Sequence, residues 1–343
     1  MHQSHLRVVI MGGSSGIGAA TAIAFARQGA HLVLGARGKE GLDDIARRCR
    51  QAGGHADVLV VDATDADAVA AFAQDARELL GQIDLWFSNV GSGVVGKFAD
   101  VPVAHHRQVI ETNLISHMND AHAVIPIFLE QDYGIWVNMI SSGGFVATPY
   151  AAAYGASKFG LRGFSEALRA ELGKKRDIHV CDSYPSFVDT PGFKHAANYT
   201  GARLSYPPGV LAPEKVADAV VALVRKPRAV TLLGAPDVTK KLTQLAPDLL
   251  ASGMNRFMES WAKRADPTDN TVGALYEPQQ GASGVHSGMV KRHAPAPAPA
   301  PAPARPRRDV PPRVPSNDST LAVGASLIAA AVGLSLLSKR ADN

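Results

Sequence analysis

The sequence is poor in cysteine and in aromatic residues. Its 343 residues include only Cys49 and Cys181, too few for a disulfide framework and without metal-ligand spacing. We therefore expect a reducing compartment and no metal site. Aromatic residues make up 6%, and no basic patch is interleaved with them, which argues against nucleic-acid binding. Residues 1–7 lack the long apolar run of a signal peptide.

Charged residues are also modest in number, at 19%, while hydrophobic residues reach 46%, which excludes a wholly disordered chain. The net charge of +4 does not indicate a basic folded surface. Much of the excess lies in the C-terminal tail, which carries Arg305, Arg307, Arg308, Arg313, Lys339 and Arg340. The remainder of the chain is therefore expected to be close to neutral.

Short apolar segments alternate with helix-length segments from residue 6 to residue 233. Strands are predicted at 6–11, 31–34, 59–61, 83–87, 134–140, 178–183 and 229–233. Helices are predicted at 19–28, 67–80, 105–129, 153–172 and 213–224. This alternation predicts an α/β fold with a doubly wound, Rossmann-like parallel sheet of about seven strands. Ligands of such sheets bind at the carboxyl ends of the strands.

The composition changes after Trp261. We predict a folded domain at 1–262 and a flexible Ala/Pro-rich linker at 263–317, because alternating Ala and Pro at 294–304 favours polyproline II. Residues 321–337 carry no charge, and 318–340 is predicted to be a C-terminal transmembrane helix. The arginines upstream favour a catalytic domain on the cytoplasmic side of that membrane. The alternative is a hydrophobic helix packed on a partner or on the same chain.

A glycine-rich turn separates the first strand from the first helix. Gly12, Gly16 and Gly18 stand in the run Met11-Gly-Gly-Ser-Ser-Gly-Ile-Gly. Glycines at such a turn let backbone N–H groups approach a pyrophosphate at the helix N-terminus. The run therefore predicts a dinucleotide site, although an ordinary tight loop has the same composition.

The end of the second strand indicates which dinucleotide binds. An acidic residue there would bind the ribose 2′-hydroxyl of NAD, but this sequence has Gly35-Ala36-Arg37. A guanidinium pairs well with a phosphate, so we predict NADP, with NAD the less favoured coenzyme. The alternative is that Arg37 is only a solvated loop charge.

Tyr154 and Lys158 are four residues apart on a predicted helix and so share a face. A free tyrosine has a pKa near 10 and is a poor base at neutral pH. A neighbouring ammonium, together with a nicotinamide cation, would lower that pKa. Such a pair is commonly no more than a surface contact, so its surroundings in the sequence must decide.

Those surroundings supply a resemblance. The glycine run, Ser88-Asn89-Val90-Gly91, Asn113, Ser141 and Tyr154-x-x-x-Lys158 resemble, in this order, the short-chain dehydrogenase/reductase family over about 6–233. The resemblance implies that Tyr154 is the general acid or base and that Lys158 bonds the nicotinamide ribose. It also implies that Asn113 supports a proton relay through water. Ser141, thirteen residues before Tyr154, would hold the substrate oxygen. Ser142 fits the family spacing less well.

The same resemblance implies further coenzyme contacts. Asp62 matches a residue at the adenine, and Asn89 one that steadies the strand ends. The family's Pro-Gly stretch corresponds to 184–190, with Ser186 in place of the usual glycine. The implied coenzyme-binding set is Gly12, Ser14, Ser15, Gly16, Ile17, Gly18, Arg37, Asp62, Asn89, Gly91, Tyr154, Lys158, Pro185, Val188 and Thr190.

Two hypotheses about function follow. The first is an NADP-dependent oxidoreductase that transfers a hydride between nicotinamide and a carbonyl or alcohol, with Tyr154 as the acid or base. The predicted membrane helix favours a lipophilic small-molecule substrate. The second is a weakly catalytic, NADP-sensing protein at the membrane. The resemblance also implies a homo-oligomer, since members of the family commonly pair through their long helices.

Overall fold

Seven parallel strands form the central sheet of the computed structural model, which describes residues 6–175, 177–207, 209–234, 247–278 and 284–290. The strands are β1 (Arg7–Met11), β2 (His31–Ala36), β3 (His55–Val60), β4 (Leu85–Ser88), β6 (Gly134–Met139), β7 (Ile178–Pro185) and β9 (Val230–Leu233). Their spatial order is β3-β2-β1-β4-β6-β7-β9. Two short strands, β5 (Val94–Val95) and β8 (Ala197–Asn198), form a second sheet. The predicted doubly wound α/β fold is confirmed.

The strand order reverses between β1 and β4, and this reversal places the site. Met11 at the end of β1 lies opposite Gly35 of β2 and Ser88 of β4, so the three strands end at one level. Connections that leave a parallel sheet in opposite directions open a crevice at their carboxyl ends. The glycine-rich turn after Met11 lies at this crevice.

Helices cover both faces of the sheet. They are α1 (Gly16–Ala26), α2 (Lys39–Gln51), α3 (Ala66–Leu80), α4 (Val103–Ile110), α5 (Ser116–Gln131), α6 (Ala152–Glu171), α7 (Pro191–Lys194), α8 (Pro213–Leu223) and α9 (Pro247–Arg264). One apolar cluster joins α1, α2 and α8 to the sheet, and a second joins α3 and α5 to its other face. Glycine and alanine dominate α1, which brings its backbone close to the strands.

Two helical features differ from the sequence-based expectation. Helix α2 was not predicted, although Leu42, Ile45, Ala46 and Cys49 form a buried face at helical spacing among polar residues. The long helix expected at 105–129 is interrupted by a π-helical turn at Glu111–Ile115 between α4 and α5. A π turn inserts an extra residue into the helix, and such turns are frequent at functional sites. Here it carries Asn113.

The compact unit extends to Met289, past the boundary that composition suggests at 262. Residues 271–278 and 284–289, which we term the C-terminal strap, pack on the folded domain although they show no periodicity. Leu275 is 1% exposed and Val285 is 7% exposed. These two residues pack into apolar clusters built from parts of the chain that are distant in sequence, so composition alone does not predict the strap.

The predicted membrane helix at 318–340 and most of the predicted linker lie outside the described residues. Among the helices that the structure describes, none has the length and apolar character needed to cross a bilayer.

Candidate active site

The glycine-rich turn is packed so closely that side chains would not fit. A Cβ on Gly18 would lie 2.1 Å from the Gly12 carbonyl oxygen, and one on Gly12 would lie 3.1 Å from the backbone of Asn89. Gly12 also has a φ of +77°, a conformation that favours glycine. The Asn89 amide donates a hydrogen bond to the Gly12 carbonyl at 3.2 Å. The turn therefore exposes backbone at the start of α1, a geometry suited to an anion.

Asn113 fixes the loop that follows β4. Its Oδ1 accepts a hydrogen bond from the Ser92 backbone N–H at 2.7 Å, and its Nδ2 donates to the Ser92 carbonyl at 2.9 Å. The same Nδ2 donates to Ser157 Oγ at 3.2 Å. Asn113 is fully buried, and it ties this loop, which includes Gly91, to α6. Asn113 therefore joins the loop after β4 to the helix that carries Tyr154 and Lys158.

Ser141 and Tyr154 lie side by side after β6. Ser141 Oγ accepts a hydrogen bond from the Gly143 backbone at 3.1 Å, and Gly143 is also in contact with the Tyr154 ring. Burial raises the pKa of the Tyr154 phenol, and a hydrogen bond with the Ser141 hydroxyl acts more weakly in the opposite direction. The phenol is therefore protonated at neutral pH. The lowered pKa predicted from the sequence depends on a nicotinamide cation as well as on Lys158.

Lys158, one turn further along α6, carries a charge that burial disfavours. Its side chain lies beneath Tyr154, with Nζ 5.8 Å from the ring centroid, and it is 3% exposed. Nζ donates to the Met139 carbonyl at 3.0 Å. Burial lowers the pKa of Lys158 to about 7, so its ammonium is only partly populated at neutral pH. A partly neutral lysine lowers a neighbouring tyrosine pKa less than a full charge does.

Helix α5 carries two buried ionisable side chains that were not predicted from the sequence, His117 and Asp120. His117 is fully buried, with Nδ1 2.6 Å from Asn138 Oδ1 and Nε2 2.7 Å from the Val90 carbonyl. Burial, followed by the charge of Lys158, lowers the pKa of His117 to about 4. Burial raises the pKa of Asp120 to about 7, against weaker opposing contacts from Ser88. Both groups are therefore largely or partly neutral beside the site.

The stretch after β7 closes another side of the crevice. Pro185 ends the strand, and Val188 pairs with Leu211 across an isolated bridge. The Thr190 side chain approaches the glycine-rich turn, 3.1 Å from where a Cβ on Gly16 would stand. The Thr190 backbone N–H donates to the Tyr206 hydroxyl at 3.1 Å. This stretch and the glycine-rich turn thus face each other.

Arg37 lies at the expected end of β2 and is partly exposed. Its guanidinium donates to the carbonyls of Tyr276 and Ala274 in the strap. Asp62 is exposed after β3 and accepts hydrogen bonds from the Thr64 backbone at 2.9 Å and hydroxyl at 2.8 Å. Ser14 packs against Gly41 of α2, and Ile17 packs on the main apolar cluster.

One group of side chains in the described residues has spacing suited to a metal ion. His31, His55 and Asp57 bring their ligand atoms within 4.8 Å of one another. They lie on β2 and β3, and both histidines are at the amino ends of their strands, opposite the glycine-rich turn. His31 Nε2 is 2.8 Å from Asp57 Oδ2, so a cross-strand hydrogen bond accounts for the arrangement.

Known proteins are similar to this chain in sequence and in fold. The family sequence model described as short chain dehydrogenase matches residues 7–199. A ketoacyl reductase, HetN, of Nostoc sp. is 28% identical over 238 residues, which are 69% of this chain and 82% of that protein. A 3-dehydrosphinganine reductase of Danio rerio is 33% identical over 222 residues, 62% of this chain and 67% of that protein.

A solved structure has a similar fold. The alcohol dehydrogenase of the archaeon Thermococcus sibiricus, complexed with 5-hydroxy-NADP, aligns with a TM-score of 0.59 and 26% identity. The alignment covers 67% of this chain and 97% of the archaeal one. The fold and the glycine-rich turn place the chain among Rossmann-like oxidoreductases. It belongs to the short-chain dehydrogenase/reductase family, whose members use nicotinamide coenzymes.

Proposed function

We propose that this protein is an NADP-dependent oxidoreductase that interconverts a carbonyl and an alcohol, with Tyr154 exchanging the proton. The observation that carries the proposal is the convergence of Ser141, Tyr154 and Lys158 beside the carboxyl ends of β4 and β6. The three side chains come from two segments, the loop after β6 and helix α6. The glycine-rich turn follows β1 at the same carboxyl edge of the sheet.

The residues present fit a dinucleotide. Gly12, Gly16 and Gly18 would hold its pyrophosphate, Arg37 a ribose 2′-phosphate, and Lys158 the nicotinamide ribose. When bound, the coenzyme supplies or accepts a hydride. Ser141 would orient the substrate oxygen. The Tyr154 hydroxyl would donate a proton to that oxygen in reduction, and the Tyr154 phenolate would accept one from it in oxidation. Asn113 would keep Ser92 and Ser157 in place around the proton path.

A protonated Tyr154 suits carbonyl reduction, in which the phenol acts as the general acid. A general acid must carry its proton at the working pH, and burial keeps Tyr154 protonated. Two relatives are named as reductases, of a ketoacyl group and of 3-dehydrosphinganine. Both names describe reductases, which agrees with carbonyl reduction here.

A membrane location and self-association are also part of the proposal. Residues 318–340 would anchor the protein, with the catalytic domain on the cytoplasmic face. Deletion of 318–343 should move the protein from the membrane fraction to the supernatant; an unchanged distribution would contradict the anchor. Phe159 on α6 is 42% exposed and Met118 on α5 is 38% exposed, which suits packing between copies. A homo-oligomer should then appear in light scattering, and a monomer would contradict it.

Tyr154→Phe tests the catalytic assignment. The substitution removes one hydroxyl, and we expect turnover of ketones and aldehydes with NADPH to fall by about 10³-fold or more, while NADPH still binds. Tyr133→Phe is the matched control, because that hydroxyl lies at the amino end of the sheet, 2.9 Å from Arg7. Turnover retained in Tyr154→Phe would contradict the assignment. Binding of NADPH by the wild-type protein without turnover of any substrate would favour the sensing hypothesis.

A further inference from the structure

The strap uses a donor of the glycine-rich turn. The Gly16 backbone N–H, the first in α1, donates to the Gly284 carbonyl at 2.8 Å. Ser15 and Gly284 form an isolated parallel bridge at the same point. The N–H groups at the start of a helix that follows a glycine-rich turn are the ones that bind a pyrophosphate. A carbonyl oxygen of the chain itself therefore lies where a phosphate oxygen is expected.

A second carbonyl of the strap engages Arg37. The guanidinium donates to the Tyr276 carbonyl, and a second, longer hydrogen bond of 3.5 Å reaches the Ala274 carbonyl. Beside Arg37, Pro278 of the strap packs on Gly38. The cation that suits a 2′-phosphate is thus satisfied by backbone oxygens. The strap therefore contacts both the glycine-rich turn, through Gly284, and Arg37, through Tyr276.

Polar anchors hold the strap down on either side. Ser287 donates from its backbone at 3.2 Å, and also from its hydroxyl, to Asp189 in the stretch after β7. His286 Nε2 lies 2.9 Å from Glu214 of α8. At the other end, the Tyr276 hydroxyl is 2.7 Å from His105 Nδ1. The bonds between Ser287 and Asp189 are buried, whereas the other two contacts are more exposed. A hydrogen bond of this kind contributes about 1 kcal/mol.

We propose that the strap is an autoinhibitory segment that imitates the phosphates of the coenzyme and must leave the glycine-rich turn and Arg37 before a dinucleotide binds. The inference rests on the proposed function, because it assumes that this edge binds NADP. It adds a closed form of the protein that does not bind the coenzyme. The apparent coenzyme affinity is then the affinity of the open form multiplied by the fraction of protein that is open.

A disulfide across Gly38 and Pro278 would lock the strap. A Cβ on Gly38 would lie 3.4 Å from the Pro278 Cβ, close to the separation of about 3.5–4.5 Å in disulfides. Both native thiols are buried, with the pKa of Cys49 raised to about 12 and that of Cys181 to about 11, so neither competes. In full-length Gly38→Cys/Pro278→Cys, we expect oxidation to weaken NADPH binding at least about tenfold and reduction to restore it. The single-cysteine variants under the same redox treatment are the controls.

Ser287→Ala would release the strap instead. Loss of the hydroxyl that donates to Asp189 should raise the open fraction, so that NADPH binds about three- to tenfold more tightly. Ser205→Ala is the matched control: its hydroxyl accepts from Trp261 Nε1 at 2.8 Å and is outside the strap contacts. NADPH affinity that is unchanged or weaker in Ser287→Ala, with the control unaffected, would contradict the inference.

Hydrogen exchange separates displacement of the strap from closure over the coenzyme. Upon addition of NADPH to the wild-type protein, we expect faster exchange in peptides from 271–289 and slower exchange in 12–18. Slower exchange in both would mean that the strap encloses the coenzyme, which overturns autoinhibition. Equal NADPH affinity in the oxidised and reduced double variant would overturn the inference and leave the proposed function intact. Failure of the reduced and wild-type proteins to bind any nicotinamide coenzyme would overturn both.

Discussion

Replacement of Lys158 by methionine should stabilise the protein while it removes the proposed chemistry. Lys158 is 3% exposed, and its described contact is one neutral acceptor, the Met139 carbonyl. Burial lowers its pKa from 10.5 to about 7. A difference of that size between the unfolded and folded states corresponds to about 5 kcal/mol of unfolding free energy. Methionine has a similar length and no charge to desolvate.

The sign of the effect depends on pH. Above about 10.5 the lysine is neutral in both states, and its charge gives no penalty. As the pH falls from there to about 7, the unfolded chain takes up a proton that the folded chain resists, and the penalty grows to its full size. The gain in Lys158→Met should therefore be largest at pH 6, up to about 5 kcal/mol, and should shrink steadily toward pH 10.

Urea denaturation at pH 6, 8 and 10 would measure this gain, provided that the m-values of the variants agree. Lys215→Met on α8 is the matched control, because that lysine is exposed, and its substitution should change stability by no more than about 0.5 kcal/mol at any pH. Lys158→Met should also lose turnover. A variant less stable than wild type at pH 6, or a difference that does not vary with pH, would refute the reasoning.

Three further substitutions test other parts of the site. Asp120→Asn should stabilise by up to about 4 kcal/mol above pH 7 and little at pH 4, because burial raises the pKa of this carboxyl from 3.8 to about 7; thermal melts at both pH values measure it. Gly18→Ala should abolish NADPH binding, since its Cβ would lie 2.1 Å from the Gly12 carbonyl oxygen. The control is Gly163→Ala at an open position of α6, which should raise the free energy of unfolding by about 1 kcal/mol. Arg37→Ser removes a strap contact that affects both coenzymes alike, and a phosphate contact that affects NADPH alone. We therefore expect coenzyme titrations to show NADPH affinity falling about tenfold or more relative to NADH affinity; an unchanged ratio of the two affinities would exclude a phosphate contact.

The parts of the fold that could be predicted are those with local signals. Buried parallel strands such as β1 are short apolar runs, and the glycine-rich turn marks the passage from strand to helix. Tyr154 and Lys158 share a helix face because their spacing is fixed by the helical repeat. Helix α2 had a signal that was missed, the buried face of Leu42, Ile45 and Cys49 within a very polar segment.

Other features have no local signal. The π turn at Asn113 depends on a shift in backbone hydrogen bonds, to which residue type gives no guide. The strap depends on single contacts between distant residues, such as Gly16 with Gly284 and Arg37 with Tyr276. The raised pKa of Tyr154 depends on how deeply both members of the pair are buried, which spacing does not reveal.

The unfavourable groups of this fold gather at one edge of the sheet. Lys158 holds a charge that burial disfavours, Asp120 is raised toward neutrality beside Ser88 at the end of β4, and Gly18 leaves no room for any side chain. Departures from local rules are expected where a protein binds or reacts rather than where it only packs. The strap lies against the same edge and satisfies Gly16 and Arg37 with carbonyls of the chain itself. If Lys158 and Asp120 served packing alone, substitutions that remove their buried charge would raise the free energy of unfolding and leave coenzyme affinity unchanged. A gain in stability coupled to a loss of binding or turnover is what a binding edge requires.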